Sequence, residues 1–224
     1  MGEISLRRRL EPVLQVDVWE VKLDDEFLMS SLFTATEEAV ARLGLAAVDG
    51  GADRLAVVVG GLGLGHTAKT ALDDPRVASL QVVEALHEVI EWHRERLVPL
   101  GAELAADDRC TFVHGDFFEL VASGLPTASG HDGGFDAILV DIDHTPAHLL
   151  DESHAGFYTA AGLQRVADQL RSGGAFALWS DDPPDEAFTH LIGSVFATAE
   201  AHVVTFPNHY TGGESACTVY VATR

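Results

Sequence analysis

The sequence is short of cysteine, of positive charge and of long apolar runs, and each shortage excludes something. The two cysteines, Cys110 and Cys217, are too few for the disulfide framework of a small secreted domain. Lying far apart in apolar, strand-like surroundings, they read as reduced core thiols of a cytoplasmic protein. No apolar stretch approaches the length of a membrane span. Arg7, Arg8 and Arg9 stand near the N-terminus, but the apolar segment that a secretory signal needs does not follow. Lysine and arginine number 14 against 35 aspartates and glutamates, a formal net charge of −21. Such a surface repels nucleic-acid phosphates and anionic membranes, so neither is an expected partner. It suits a small cationic molecule, and equally it keeps a chain soluble. What is present is apolar residue: 47% of the chain, enough for one sizeable core.

Patterning divides the chain near residue 50. Residues 4–22 alternate apolar and polar on both sides of Glu11-Pro12, which predicts a small N-terminal β-hairpin. Thr34 and Glu37 have the spacing of a capping box, and a helix is expected from there to Gly50-Gly51. Residues 1–50 are therefore expected as a hairpin plus helix, and 51–224 as an α/β domain. In the second part RLAVVVG, SLQVVEA, CTFVHGD, FDAILVDID and AFALWSDD read as strands. Helices are expected after the first strand's glycine loop, at LHEVIEWHRERLV, at FFELVASG, at FYTAAGLQRVADQLRSGG with a glycine stop, and at DEAFTHLIGSVFA. AEAHVVTFP and SACTVYVAT have no helix between them and should pair antiparallel. The expected fold class is α/β: a doubly wound, mostly parallel seven-stranded sheet with a closing antiparallel hairpin. LPTASGHDGG, 125–134, reads as a surface loop. The hairpin at 4–22 could pair between subunits, so a homodimer is expected.

VVVGGLGLGH, residues 57–66, carries the first chemistry. Gly60, Gly61, Gly63 and Gly65 let the backbone turn sharply and approach a ligand. As a dinucleotide GxGxxG loop the match fails at His66; as the GxGxG loop that bends beneath an S-adenosyl ligand, Gly61, Gly63 and Gly65 fit. Only the second accounts for the closing hairpin, because the class I S-adenosylmethionine fold ends in a reversed strand. Glu84 ends the second strand, where a carboxylate can accept from both ribose hydroxyls. Asp116 could accept from an adenine amino group, with Phe117 as an apolar face, or simply cap the helix at FFEL. Asp141 ends an apolar strand at the switch-point crevice, where a partly desolvated acid can steer and deprotonate an amine. Asp143 is on the same side if the strand period continues. Asp181 and Asp182, with Asp185 and Glu186, deliver a second acidic strand end, or a helix start. DIDHTPAHLLDESH also gathers His144, His148 and His154, but its loop-like start and the lack of cysteine ligands speak against a metal site. His144 is expected to face an acceptor from a loop over the cleft. The other histidines read as scattered surface or helix residues.

From Val57 to Arg224 the chain resembles the spermidine synthase family, the polyamine aminopropyltransferases. The resemblance rests on VVVGGLGLG, LQVVEALHEVIE, the HGD turn, AILVDIDHTP, FYTAAGLQRVADQLRSGGAFAL and the closing hairpin. It implies the S-adenosylmethionine methyltransferase-like Rossmann fold, a small leading β domain and decarboxylated S-adenosylmethionine as donor. By resemblance Glu84 would hold the ribose, Asp116 the adenine end, and Asp141 the attacking amine. The chain differs from the family pattern at three places: Gly63 replaces the aspartate of the glycine loop, Met29-Ser30-Ser31 replaces a tyrosine–histidine–glutamate run, and His144 replaces a second acid. Aminopropyl transfer in polyamine biosynthesis, methyl transfer from S-adenosylmethionine to another small-molecule acceptor, and nucleoside binding without catalysis all remain open at this point.

Overall fold

The computed structural model describes residues 3–24, 26–49, 51, 53–126 and 134–224. Most of the expected loop at 125–134 lies outside the described residues. The N-terminal hairpin forms from β1 (Ile4–Glu11) and β2 (Val16–Leu23), and a third strand, β3 (Glu26–Ser30), extends it into a small antiparallel sheet. Arg9 ties this sheet to the rest of the molecule by donating to the Tyr210 hydroxyl at 2.9 Å, and within the sheet it donates to Glu20 Oε1 at 2.7 Å. The Trp19 indole adds a bond to the Leu97 carbonyl at 3.0 Å.

The large sheet holds seven strands: β4 (Leu55–Gly60), β5 (Val77–Glu84), β6 (Cys110–His114), β7 (Phe135–Val140), β8 (Leu170–Ser180), β9 (Thr198–Asn208) and β10 (Gly213–Thr223). Their order is β6-β5-β4-β7-β8-β10-β9. The first five run parallel, and β10 and β9 close the sheet antiparallel. The order reverses between β4 and β7, which creates the switch-point crevice where ligands of open α/β sheets bind.

Alternation along β4 explains the two layers. Val57 and Val59 face one core with α1 (Ala35–Ala47), α2 (His66–Asp73) and α3 (His87–Arg94). Ala56 and Val58 face the other, with α5 (Phe117–Ser123), α6 (Ala160–Gln169) and α7 (Glu186–Gly193). The helix α1 packs on the large sheet, not on the small one: a Cβ at Gly44 would meet the Leu139 side chain at 2.5 Å. The helix backbone thus lies close upon Leu139 and Ala177.

Two expected helices are shorter than their patterns. The segment LHEVIEWHRERLV stops at Arg94, because Arg96 takes a left-handed backbone (φ 62°) and Gly101 packs against the His93 backbone. A short helix, α4 (Gly101–Ala106), follows. Leu170 to Gly174, expected at a helix end, instead begin β8; Gly173 bends that strand with φ 75°.

One buried ion pair joins β7 to its neighbours. Asp136, 6% exposed, accepts from the Ala56 N–H at 2.7 Å and from Arg171 Nη1 at 2.5 Å. Asp136→Ala should cost about 1–3 kcal/mol, since it leaves the buried Ala56 N–H without its acceptor. Denaturant titration measures this; a loss below about 1 kcal/mol would mean that strand pairing alone holds the sheet centre.

Candidate functional site

At the carboxyl ends of β4, β5, β6, β7 and β8 lies a cavity of about 470 Å³, roofed by residues of β3. Its floor is the glycine loop. Gly61 has φ 93°, and a Cβ there would strike the Asp141 carbonyl oxygen. Gly63 and Gly65 also have positive φ and line the cavity. Gly60 does not line it; Gly60 lies against the Phe117 ring, which does.

Glu84 is nearly buried at the end of β5. Its Oε2 accepts from the Leu62 N–H at 3.0 Å and its Oε1 from the Leu86 N–H at 2.8 Å. Burial pushes its carboxyl upward, and the backbone donors oppose that shift. Asp116 caps α5, accepting from Phe118 N at 2.8 Å and Glu119 N at 3.0 Å through one oxygen. It caps and lines the cavity at once.

Asp141 follows β7 directly, and its Oδ2 accepts from the Thr67 hydroxyl at 2.9 Å. That hydroxyl also stands 3.1 Å from the Glu37 carbonyl oxygen. With one proton it can serve only one of the two at a time. The Glu37 carboxyl faces Asp141 across the cleft. Burial first, and the Asp141 charge second, push it up to about 8. Burial raises Asp141 to about 6 against the Thr67 bond. Two carboxyls coupled in this way titrate as a pair.

Glu37 is the residue that the capping-box pattern concealed. Thr34 Oγ1 bonds Glu38 Oε1 at 3.0 Å and makes no side-chain cap to the backbone. Glu38 in turn pairs with Arg42 outside. The buried stripe of α1 includes Val40, Ala41, Gly44 and Leu45, and Glu37 continues that stripe toward the cleft. Helical spacing therefore carried the signal, and the cap motif masked it.

The other expected residues divide. His144 and Asp181 line the cavity, and the Asp181 N–H bonds the His144 carbonyl at 2.8 Å. Asp182 is exposed and lies outside it. Asp143 also lies outside, 2% exposed, engaged by His154, Tyr158 and the Leu150 N–H. Residues the sequence did not single out complete the wall. Cys217 bonds Asp181 Oδ1 at 3.4 Å, and burial with that neighbour raises its thiol to about 12, so it is neutral. Trp179 also lines the cavity, and its indole N–H is buried without a protein partner. His93, in α3, is fully buried, with Nδ1 on the Val89 carbonyl at 2.9 Å. Among the described residues no three His, Cys, Asp or Glu side chains converge as a metal site would require, and no helix is long and apolar enough to cross a membrane.

The sheet order, the reversed closing strand and the glycine loop define the class I S-adenosylmethionine methyltransferase-like fold. Solved structures with this fold include spermidine synthase from Thermotoga maritima, at TM-score 0.72 and 19% identity over 97% of this chain and 68% of that one. A spermidine synthase bound to the transition-state analogue AdoDATO matches at TM-score 0.70 with 19% identity, over 97% of this chain and 68% of that one. Human methyltransferase-like protein 13 in complex with SAH matches at TM-score 0.60 with 18% identity, over 84% of this chain and 82% of that one. No protein-family model matches the sequence.

The raised Glu37 carboxyl makes a signed prediction. Its neutral form is favoured in the folded state, so the stability it supports is full below its ordinary 4.5 and lost as pH rises toward about 8. Glu37→Gln should match the wild type in melting temperature at acidic pH and exceed it increasingly up to about pH 8. A gap that is constant with pH would show that Glu37 titrates like an exposed acid.

Proposed function

We infer that the chain is a transferase that binds an S-adenosyl-type donor and passes a carbon group from its sulfonium to a small cationic amine. The observation that carries this reading is the charge of the cavity. Glu37, Glu84, Asp116, Asp141 and Asp181 line it, and among the described lining residues there is no lysine or arginine. Such a wall concentrates cations and rejects phosphates and carboxylates. The spermidine synthase bound to AdoDATO shares the fold, and decarboxylated S-adenosylmethionine, a dication, suits this wall better than a donor carrying a carboxylate.

In this proposal the glycine loop takes the donor's tail, Glu84 the ribose hydroxyls, and Asp116 with Phe117 the nucleobase. The backbone N–H groups of Leu62, Gly63, Ala85 and Leu86 already act on the Glu84 carboxylate, so ribose hydroxyls would share its oxygens with them. The sulfonium carbon is attacked in line by a neutral amine: the C–N bond forms, the C–S pair departs as a thioether, and the amine loses a proton. Asp141, steered by Thr67, receives that proton or holds the far cationic end of the acceptor, and Glu37 shares either role. Asp143 is proposed as a supporting group.

One observation favours methyl transfer instead. The loop has Gly63 in place of an acid, and Met29 Sδ lies 3.0 Å from where a Cβ would be, so a thioether occupies the space of a carboxylate. Calorimetric titration with S-adenosylmethionine, its decarboxylated form and methylthioadenosine separates the readings. Tighter binding of the decarboxylated donor supports aminopropyl transfer; tighter binding of the full donor supports methyl transfer; binding of none removes both. Asp141→Asn should lower kcat by about 10²–10⁴ while sparing donor affinity. Unchanged turnover would remove Asp141 from the chemistry.

A further inference from the structure

We propose that His154, oriented by Asp143 and Tyr158, is a specificity residue that reads the 6-position of the donor's nucleobase; this rests on the donor assignment above. Asp143 is 2% exposed and accepts three hydrogen bonds. Its Oδ1 takes His154 Nδ1 at 2.8 Å and the Leu150 N–H at 2.8 Å, and its Oδ2 takes the Tyr158 hydroxyl at 2.9 Å. An ionised carboxylate accepts only. The proton of the neutral imidazole is therefore on Nδ1, and Nε2 keeps its lone pair. The ring also lies against Phe118, with centroids 4.0 Å apart and planes 32° apart. Tautomer and orientation are thus both set by buried partners.

His154 lines the cavity, while Asp143 and Tyr158 do not. Its place in the cavity follows from Phe118, which stands in the first turn of α5, two residues beyond Asp116. This is the β6 flank, assigned above to the nucleobase. The Glu37–Asp141 pair with Thr67 lies at the sheet centre, and Asp181 with Cys217 lies on the β8–β10 side. Asp116 has Oδ1 engaged by two backbone donors, so a base-reading role for Asp116 falls to Oδ2. A second acceptor on the same flank, Nε2 of His154, matches a 6-amino group, which donates. It opposes a 6-keto group, which meets it lone pair to lone pair.

The test compares methylthioadenosine with methylthioinosine by calorimetry on the full chain. The wild type should bind the 6-amino nucleoside roughly tenfold more tightly or better, the range of a hydrogen bond made against one left unmade. His154→Ala should reduce that ratio several-fold. Asp143→Asn can keep its amide oxygen on His154 Nδ1 and the Leu150 N–H while its NH2 donates to the Tyr158 hydroxyl, so the ring tautomer and the ratio should both persist. Should that buried substitution prevent folding, His154→Ala decides alone. A purely structural His154 would leave the ratio unchanged, and that result overturns the proposal. So does equal binding of the two nucleosides by the wild type. A loss of kcat in His154→Ala with an unchanged ratio would place the imidazole in the chemistry instead and also overturns it. Failure of the wild type to bind either nucleoside defeats the donor assignment itself, and the base-reading role with it.

Discussion

The contact between Gly61 and the carbonyl of Asp141 is the constraint on which the site depends. β4 and β7 pair to their last residues, and the Asp141 N–H still bonds the Gly60 carbonyl at 2.9 Å. Beyond that bond the two chains must part in opposite directions. Gly61 turns through a left-handed conformation closed to larger residues, and it starts the loop that leads into α2. The same departure leaves Asp141 at the head of the crevice, beside Thr67 in the first turn of α2. The acid and the hydroxyl that steers it are therefore placed by one backbone event.

A second close approach completes the arrangement. Gly44 allows α1 to lie directly on β7 and β8, which brings the N-terminal turn of α1, with Glu37, over the ends of those strands. A side chain at residue 44 would have to displace the Leu139 side chain and crowd Ala177. The cleft pair thus depends on two glycines far from each other in sequence, and neither touches both acids.

The fold was legible because β-branched runs ending in glycine or acid have few other readings. VVVGG, FDAILVD and the helix-free interval before SACTVYV gave the parallel sheet and its reversed close. The short strand EFLMS was not legible, since five residues beside a tight turn carry no periodicity of their own. In the site, Glu84, Asp116 and Asp141 were legible because strand ends at a switch point have a fixed address. Asp143 shows where that address expires. The two-residue period would place it beside Asp141, but β7 ends at Val140, so the alternation no longer governs it. The chain turns, and Asp143 is drawn into a buried network with residues up to fifteen positions away. Glu37 was hidden for the opposite reason: its spacing satisfied two motifs, a cap and a buried helical stripe, and tertiary packing chose the second.

The net charge of −21 and the acidity of the cavity are separate facts. Surface carboxylates are screened by salt over about a Debye length, so they contribute to encounter more than to selection. Inside, the five carboxyls do unequal work. Glu84 and Asp116 hold backbone donors. Asp181 is exposed at the rim beside a neutral thiol. Glu37 and Asp141 alone stand opposed with no cation between them, and burial makes their second ionisation costly. A proton relieves that cost, and so would an ammonium group. On the proposed reading, cation binding and proton release at this pair are two sides of one equilibrium, which would set the cleft apart from a merely acidic surface.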